Sequence, residues 1–282
     1  MALIAPPFDR FLLQAVRALG PYRTKVVLAG GCANALYRYH PGVAPSPIRP
    51  LVTFDVDVAT PNKLPQSESS LQTALAAAGL QPSPGDQPTN KYKTAPGAAE
   101  TLEFLCPITG TPTAVRTQFP TLIKIQGSCT AEALDYLDLL LMFPWSIDLR
   151  TVPPLAVADE LLVRIPNPVS YIMQKILIRS RRTSSGKRAK DSYYIYELAL
   201  LLRNACPTLT GEARRLRMPS AWKRDYLTGV NELLGHDNAE GIQDARDTAD
   251  ANGQAVTEDM VYRTLAPVLA AIQAGLNDPK GP

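Results

Sequence analysis

The chain has 282 residues, a length that suits one large domain or two modest domains and allows a buried core without disulfide bonds. Hydrophobic residues make up 45% of it and charged residues 20%, and no apolar stretch is long enough to span a bilayer, so composition excludes a disordered chain and a membrane-spanning protein. The formal net charge is only +3, which excludes a uniformly basic nucleic-acid-binding chain.

The first half of the chain predicts alternating helices and strands. A helix is expected over PFDRFLLQAVRALG, whose apolar residues recur three to four positions apart before Gly20 and Pro21. The segment KVVLAGGCANALYRYH predicts a strand, a glycine turn and a second helix. After a proline-rich loop over 41–50, LVTFDVDVATP alternates apolar and polar residues, starting at Val52, and therefore predicts a strand.

The remaining elements follow from the same patterns. We expect a helix over 70–80, a long loop after it, strands over 101–110 and 121–127, and a helix over 130–144 capped by Thr130. The segment 161–168 is expected to be a strand or an extended linker. Helices are then expected over 168–182, 189–203, 220–234 and 257–275, the last with a kink at Pro267.

These elements predict an α+β fold in two domains. A mixed β-sheet with flanking helices is expected over residues 1–150, and a helical domain over residues 151–282. Charge is distributed unevenly between them. The segment 164–224 holds 14 basic residues against three acidic ones, a net charge of +11, whereas the segment 225–282 has a net charge of −7. The basic segment predicts a polyanion-binding surface, and a solvated face that pairs with the acidic tail is the alternative.

Acidic residues on two predicted strands suggest a metal site. Asp55 and Asp57 stand at i and i+2 and so share one strand face, while Glu103 lies between Leu102 and Phe104 on another strand. Carboxylates grouped in this way are typical ligands of Mg²⁺ in phosphoryl and nucleotidyl transfer, although an exposed sheet face would also carry them.

A glycine pair precedes these strands. Gly30 and Gly31 end a predicted strand and begin a helix, where backbone N–H groups can bind a phosphate. An ordinary turn between a strand and a helix is the alternative.

The ordered segments VVLAGG, TFDVDVA and TLEFLCP resemble the motif of the DNA polymerase β-like nucleotidyltransferase superfamily. The segment PVSYIMQKILIRSRRTSSGKRAKDSYYIYELALLL is similar to helices of bacterial NTP_transf_8 and AbiEii-toxin-like nucleotidyltransferases. The resemblance extends from about Val26 to Leu202. The chain departs from the motif in the long insertion over 41–50 and in Cys32, where many members have serine.

The resemblance implies a nucleotidyltransferase that moves a nucleoside monophosphate from an NTP to a hydroxyl acceptor. It implies that Asp55 and Asp57 bind two Mg²⁺ ions, with Mn²⁺ as an alternative, and that Glu103 binds one ion and activates the acceptor hydroxyl. Gly30 and Gly31 would hold the triphosphate.

The basic helices of the second half carry the other candidate residues. Lys175 is the first candidate for a β- or γ-phosphate ligand, and a structural lysine over the core is the alternative. Asp191 is equally compatible with a role in starting its helix. The predicted nucleotide-binding residues here are Lys175, Lys190 and Asp191. The predicted acceptor-binding residues, in and beside a flexible basic loop, are Arg179, Arg182, Lys187 and Arg188.

The acceptor is predicted to be RNA, with a tRNA 3′ end as one candidate, because the second half is basic and is similar to AbiEii-type toxins. This similarity also suggests a toxin or phage-defence role and an antitoxin partner, while a protein side chain or a small molecule is an alternative acceptor. A metal-dependent nuclease is disfavoured because Leu105 stands where the D…E-x-K pattern requires lysine. A catalytically silent nucleotide-, RNA- or partner-binding module is the other alternative.

The cysteines and the amino terminus bear on the cellular compartment. The cysteines stand singly, without a C-x-x-C pair, which predicts buried free thiols rather than a zinc site or a disulfide framework. The segment MALIAPPFDR lacks the pattern of a signal peptide, so we expect a cytoplasmic protein. The sequence predicts no oligomeric state.

Overall fold

The computed structural model of the chain describes residues 3–45, 48–51, 53–83, 88–108, 121–235 and 239–278. Val52, part of the expected loop (84–87) and the end of an expected strand (109–110) lie outside the described residues. The chain forms two compact units, Met1–Tyr39 with Leu51–Pro166 and His40–Pro50 with Asn167–Pro282. The α+β fold class is confirmed.

Nine strands and four α-helices of the first unit fall within the described ranges. Its helices are α1 (Pro6–Leu19), α2 (Gly30–Tyr37), α3 (Leu71–Ala77) and α4 (Asp138–Leu141). Its strands are β1 (Val27–Ala29), β2 (Asp55–Ala59), β3 (Gln81–Pro82), β4 (Lys91–Lys93), β5 (Thr101–Pro107), β6 (Leu122–Gln126), β7 (Cys129–Leu134), β8 (Trp145–Asp148) and β9 (Leu162–Ile165).

The main sheet of this unit is mixed. Strand β2 pairs antiparallel with β1 and parallel with β5. The other edge of β5 pairs antiparallel with β4 near its start and parallel with β7 near its end. Strand β3 extends the sheet beyond β4, β6 extends it beyond β7, and β8 and β9 form a separate hairpin. The two strands that carry the candidate carboxylates, β2 and β5, are therefore direct neighbours inside the sheet.

The core of the first unit follows the amphipathic patterns of its elements. Helix α1 buries Phe8, Leu12 and Val16, which recur at helical spacing. Strand β2 buries Val56 and Val58, while the carboxylates between and before them stay more accessible. Alternation thus separates a core face from a face that carries the acidic residues.

One expected helix is partly a strand. The helix expected over 130–144 is wrong for its first part, because residues 129–134 form β7 and only Asp138–Leu141 are helical. In β7 the buried Ala131 and Ala133 alternate with the more accessible Glu132 and Leu134, and two neighbouring strands supply its backbone hydrogen bonds. The loop expected after residue 80 likewise contains β3 and β4.

The second unit is helical. Its helices, among the residues that the structure describes, are α5 (Pro168–Arg179), α6 (Ser185–Leu202), α7 (Cys206–Arg215), α8 (Ser220–Leu234), α9 (Glu240–Ala251) and α10 (Glu258–Asn277). Helices α7 and α9 were not expected from the sequence. No helix in the described ranges is both long and apolar enough to cross a bilayer. The division of function at residue 150 stays a prediction, and the first unit itself continues through β9 to Pro166.

Candidate active site

Three carboxylates share one face of the main sheet. Asp57 on β2 is the register partner of Glu103 on β5, and Asp55 is the partner of Thr101. Partners on adjacent strands project to the same side of a sheet, as do residues two apart on one strand. Asp55 is exposed, whereas Asp57 and Glu103 are partly buried. The fold therefore brings the strands of all three predicted carboxylates together.

Gly30 is packed against one of these carboxylates. It has a φ of +59°, a conformation that favours glycine, and a Cβ atom at this position would collide with Oδ2 of Asp57. Since Gly30 is the first residue of α2, the carboxylate of Asp57 lies at the positive end of that helix. Gly31 is buried within the helix. The glycine turn thus makes room for Asp57, a role that the sequence did not suggest.

Cys32 follows the glycine pair and is fully buried. Its Sγ donates a hydrogen bond to the carbonyl oxygen of Ala29 at 3.0 Å. Burial, and then the negative charge of Asp57, raise the pKa of the Cys32 thiol. The thiol is therefore protonated at neutral pH, and its hydrogen bond goes to the main chain of β1.

Glu103 has two polar neighbours that the sequence did not reveal. The side-chain Nδ2 of Asn90 donates to Glu103 Oε1 at 2.9 Å, and Lys91 Nζ lies 3.7 Å from the same oxygen. Lys91 is also the register partner of Glu103, across β4 and β5. The alternation of N-K-Y-K, with Tyr92 buried, was the available signal, but its surroundings read as a loop.

Glu132 lies on the same sheet face. It is the register partner of Leu105, which follows Glu103 by two residues on β5. The sequence did not suggest this acidic residue, because β7 was expected to be a helix. Its place in the sheet adds a fourth carboxylate to the face that carries the predicted metal ligands.

The donor chemistry of this face fits a hard divalent cation, because carboxylate oxygens are the ligands that Mg²⁺ prefers. Among the described residues, however, no group of three or more His, Cys, Asp or Glu side chains is close enough to hold a metal ion. The backbone register thus assembles the carboxylates on one face, while their side chains are not gathered around a single point.

In the second unit, Lys175 and Asp191 form a buried ion pair. Lys175 Nζ lies 2.8 Å from Asp191 Oδ1, and Arg182 Nε lies 3.1 Å from Asp191 Oδ2. Lys175 is only 7% exposed and also lies over the rings of Tyr171 and Tyr194, at 5.5 and 5.3 Å from their centroids. Two of the predicted nucleotide-binding residues are therefore brought together by α5 and α6.

The expected flexible basic loop is mostly helix. Helix α6 begins at Ser185, and Ser184 caps it by accepting a hydrogen bond from the backbone N–H of Lys187. Lys187, Arg188 and Lys190 therefore lie on the first turns of α6. The prediction of a loop was wrong here because the serine cap outweighs the local glycine and serine content.

Several basic residues of the second unit are paired with the acidic tail. Arg179 is buried, lies 2.8 Å from Asp244 and donates to Ser192 Oγ at 2.8 Å. Arg188 pairs with Glu240 at 2.9 Å, and Arg214 pairs with Asp278 at 2.8 Å. Part of the positive charge of the segment 164–224 is therefore offset within its own unit.

A glycine-led helix beside carboxylates on two neighbouring strands is typical of enzymes that act on nucleoside triphosphates. The family model described as nucleotidyltransferase, NTP_transf_8, matches residues 10–217. The chain belongs to this family, and it is therefore an enzyme that transfers a nucleoside monophosphate from an NTP. No curated protein and no solved structure matches it.

Proposed function

We propose that the protein transfers a nucleoside monophosphate to a hydroxyl acceptor in an Mg²⁺-dependent reaction, with Asp55, Asp57 and Glu103 as metal ligands. The observation that carries this proposal is the pairing of Asp57 with Glu103 across β2 and β5, next to the Gly30 turn. Mn²⁺ is the alternative ion, since it also accepts carboxylate and water ligands.

The residues of the first unit have separate roles in this reaction. Asp55 and Asp57 hold two metal ions, and the backbone N–H groups that begin at Gly30 and Gly31 bind the triphosphate. Glu103 accepts the proton of the acceptor hydroxyl and also contributes to metal binding. When bound, Mg²⁺ neutralises charge on the α-phosphate and on the leaving pyrophosphate. The packing of Gly30 against Asp57 supports these roles, because it brings the carboxylate of Asp57 next to the turn that begins α2.

In the second unit, we propose that Lys175, Lys190 and Asp191 contribute to nucleotide binding. Support comes from the ion pair between Lys175 and Asp191 and from the position of Lys190, whose Nζ lies 5.6 Å from the centroid of the Tyr194 ring. Asp191 positions both Lys175 and Arg182, so its loss would displace two cations at once.

We propose RNA, with a tRNA 3′ end as one candidate, as the acceptor. Support comes from the net charge of +11 over the segment 164–224. The proposed acceptor-binding residues are Arg179, Arg182, Lys187 and Arg188. A toxin or phage-defence role with an antitoxin partner belongs to the same proposal. The free cysteines support a reducing compartment such as the cytoplasm.

The test is nucleotide transfer from α-labelled NTPs. The purified protein is incubated with each NTP, Mg²⁺ and separate fractions of total RNA, protein and small molecules. Asp57→Asn removes one proposed ligand with little change in shape, and Glu68→Gln, at an exposed carboxylate of the same unit, is the matched control. We expect label in the RNA fraction with the wild type and with the control. We expect no label with Asp57→Asn.

The outcomes separate the candidates. Label in the protein or small-molecule fraction would support nucleotidyl transfer but show that the acceptor is not RNA. Equal labelling by Asp57→Asn and the wild type would refute the assignment of the carboxylates. No label in any fraction would refute transfer to RNA and to the two alternative acceptor classes.

A further inference from the structure

We propose that Asn90 is a positioning residue for Glu103, because it holds Oε1 of the carboxylate and leaves Oε2 available to the divalent cation. This inference rests on the proposed function, because it takes Glu103 as a metal ligand. The observation behind it is the hydrogen bond from Asn90 Nδ2 to Glu103 Oε1 at 2.9 Å, inside the sheet that carries the candidate site.

Both N–H groups of the Asn90 amide have acceptors. Besides Glu103, Nδ2 donates to the carbonyl oxygen of Phe104 at 3.2 Å. Because both contacts are acceptors, they define which end of the amide carries the nitrogen. The amide therefore bridges the side chain of Glu103 and the main chain of the next residue on β5, and it holds that carboxylate at a defined place along the strand.

The main chain around Asn90 is itself fixed. The backbone N–H of Phe104 donates to the carbonyl oxygen of Asn90 at 2.9 Å, and Asn90 is only 5% exposed. The hydroxyl of Thr130 on β7 donates to the carbonyl oxygen of the preceding residue, Thr89, at 2.8 Å. Because the main chain on both sides of Asn90 is held in this way, its side chain can orient Glu103 in advance. Metal binding then costs little conformational entropy.

The hydrogen bond from Asn90 to Oε1 of Glu103 also affects the other carboxylate oxygen, Oε2. Asn90 engages Oε1 of Glu103, so rotation of the carboxylate is restricted and Oε2 is the oxygen left for a cation. Lys91 also approaches Oε1, but at 3.7 Å and with 46% of its side chain exposed, so its attraction is weaker and screened by water. The buried amide is thus the stronger constraint on Glu103.

The competing explanation is structural. Through Phe104, Asn90 also ties the residues before β4 to β5, and its loss would loosen the sheet edge even if Glu103 never bound a metal. Thr130→Val is the matched control, because it removes a buried hydrogen bond to the adjacent Thr89 and leaves Glu103 untouched. A purely structural role predicts the same behaviour for both variants.

The experiment measures Mn²⁺ binding to the full chain by electron paramagnetic resonance of the free ion, together with kcat and KM for the NTP. The variants are Asn90→Ala, Asn90→Leu, Glu103→Gln, Thr130→Val and the double variant Asn90→Ala/Glu103→Gln. Circular dichroism checks that each is folded. Asn90→Leu keeps the size of the side chain without its donor and without a new charge, so it tests the same hydrogen bond if the smaller alanine loosens the edge of the sheet.

We expect Asn90→Ala and Asn90→Leu to weaken Mn²⁺ binding about 10- to 100-fold and to lower kcat with little change in KM. The double variant should bind Mn²⁺ no more weakly than Glu103→Gln alone, because Asn90 acts through that carboxylate. Thr130→Val should bind Mn²⁺ like the wild type.

Two results would overturn the inference alone: Mn²⁺ binding that depends on Glu103 but not on Asn90, or equal losses in Asn90→Ala and Thr130→Val. If Glu103→Gln itself leaves both Mn²⁺ binding and turnover unchanged, the role of Glu103 in the proposed function fails, and the inference fails with it.

Discussion

Position 30 requires a residue without a side chain for two separate reasons. Its φ of +59° is unfavourable for residues with a Cβ atom, and the space that this atom would fill is taken by the carboxylate of Asp57. The sequence suggested that the glycine makes room for a phosphate. The structure adds that it makes room for the carboxylate at the start of α2.

Gly30→Ala is therefore expected to lower the free energy of unfolding by at least about 1 kcal/mol and to reduce nucleotide transfer, because Asp57 must move. Urea denaturation and turnover measure the two effects. Gly211→Ala, on α7 where a Cβ meets nothing within 4 Å, is the control and should be neutral or stabilising by up to about 1 kcal/mol. Equal stability of Gly30→Ala and wild type would contradict the close packing of Gly30 against Asp57.

The sequence could predict some residues of the candidate site but not others. Asp55, Asp57 and Glu103 were found because strand alternation is local, and a residue two positions away marks the same face. Asn90 was missed because its role depends on pairing with a strand that starts eleven positions later. Contacts of this kind depend on which distant segments pair as strands, and the residues around Asn90 do not show that pairing.

At the scale of elements, α5 and α6 are joined by the ion pair of Lys175 with Asp191. The carboxylate also binds Arg182, whose side chain is 35% exposed, whereas that of Lys175 is 9% exposed. Removing the carboxylate leaves a buried ammonium without its anion, whereas removing the ammonium leaves the carboxylate paired with Arg182. The two single variants should therefore differ in stability.

We expect Asp191→Ala to destabilise the protein by about 3 kcal/mol and Lys175→Met to cost less, as measured by urea denaturation. Asp259→Ala breaks an exposed pair with Arg263 on α10 and should cost less than about 1 kcal/mol. If Lys175→Met proves the more destabilising change, the loss of the anion beside the buried ammonium is not what governs stability here. Lys175→Met should in addition weaken NTP binding, the readout that separates a ligand from a purely structural lysine.

Element types were predictable where one pattern dominated. Apolar spacing and end signals predict the helices α1, α5 and α8, and the predicted bounds lie close to the observed ones. Strand β7 was missed because T-A-E-A-L contains good helix formers, and its hydrogen-bonding partners lie on β5 and β6. Tertiary pairing outweighed local propensity at this segment.

Across the whole molecule, positive and negative charges lie in different segments of the chain, and folding pairs some of them. The basic segment 164–224 carries a net charge of +11, and the tail after it carries −7. Ion pairs from Arg179, Arg188 and Arg214 to the tail join the two within the second unit. The proposed binding of RNA would therefore depend on the basic residues that remain accessible, of which Lys187 is one.

RNA affinity is expected to fall steeply as salt concentration rises, since phosphate contacts release bound counterions. Lys187→Ala should lower the slope of log affinity against log salt by about one, and Lys63→Ala, at an exposed lysine of the first unit, should leave it unchanged. Fluorescence anisotropy of labelled RNA at several salt concentrations measures both. An unchanged slope in Lys187→Ala would remove this residue from the proposed acceptor surface.

We propose that the carboxylates on β2 and β5 catalyse nucleotidyl transfer. The decisive measurement compares α-labelled with γ-labelled NTP in the presence of Mg²⁺, with total RNA as acceptor and Glu103→Gln alongside the wild type. We expect the wild type to transfer the α-label to the acceptor and to release the γ-label as pyrophosphate, and we expect neither product with Glu103→Gln. Transfer of γ-label to the acceptor, or full activity of Glu103→Gln, would contradict it.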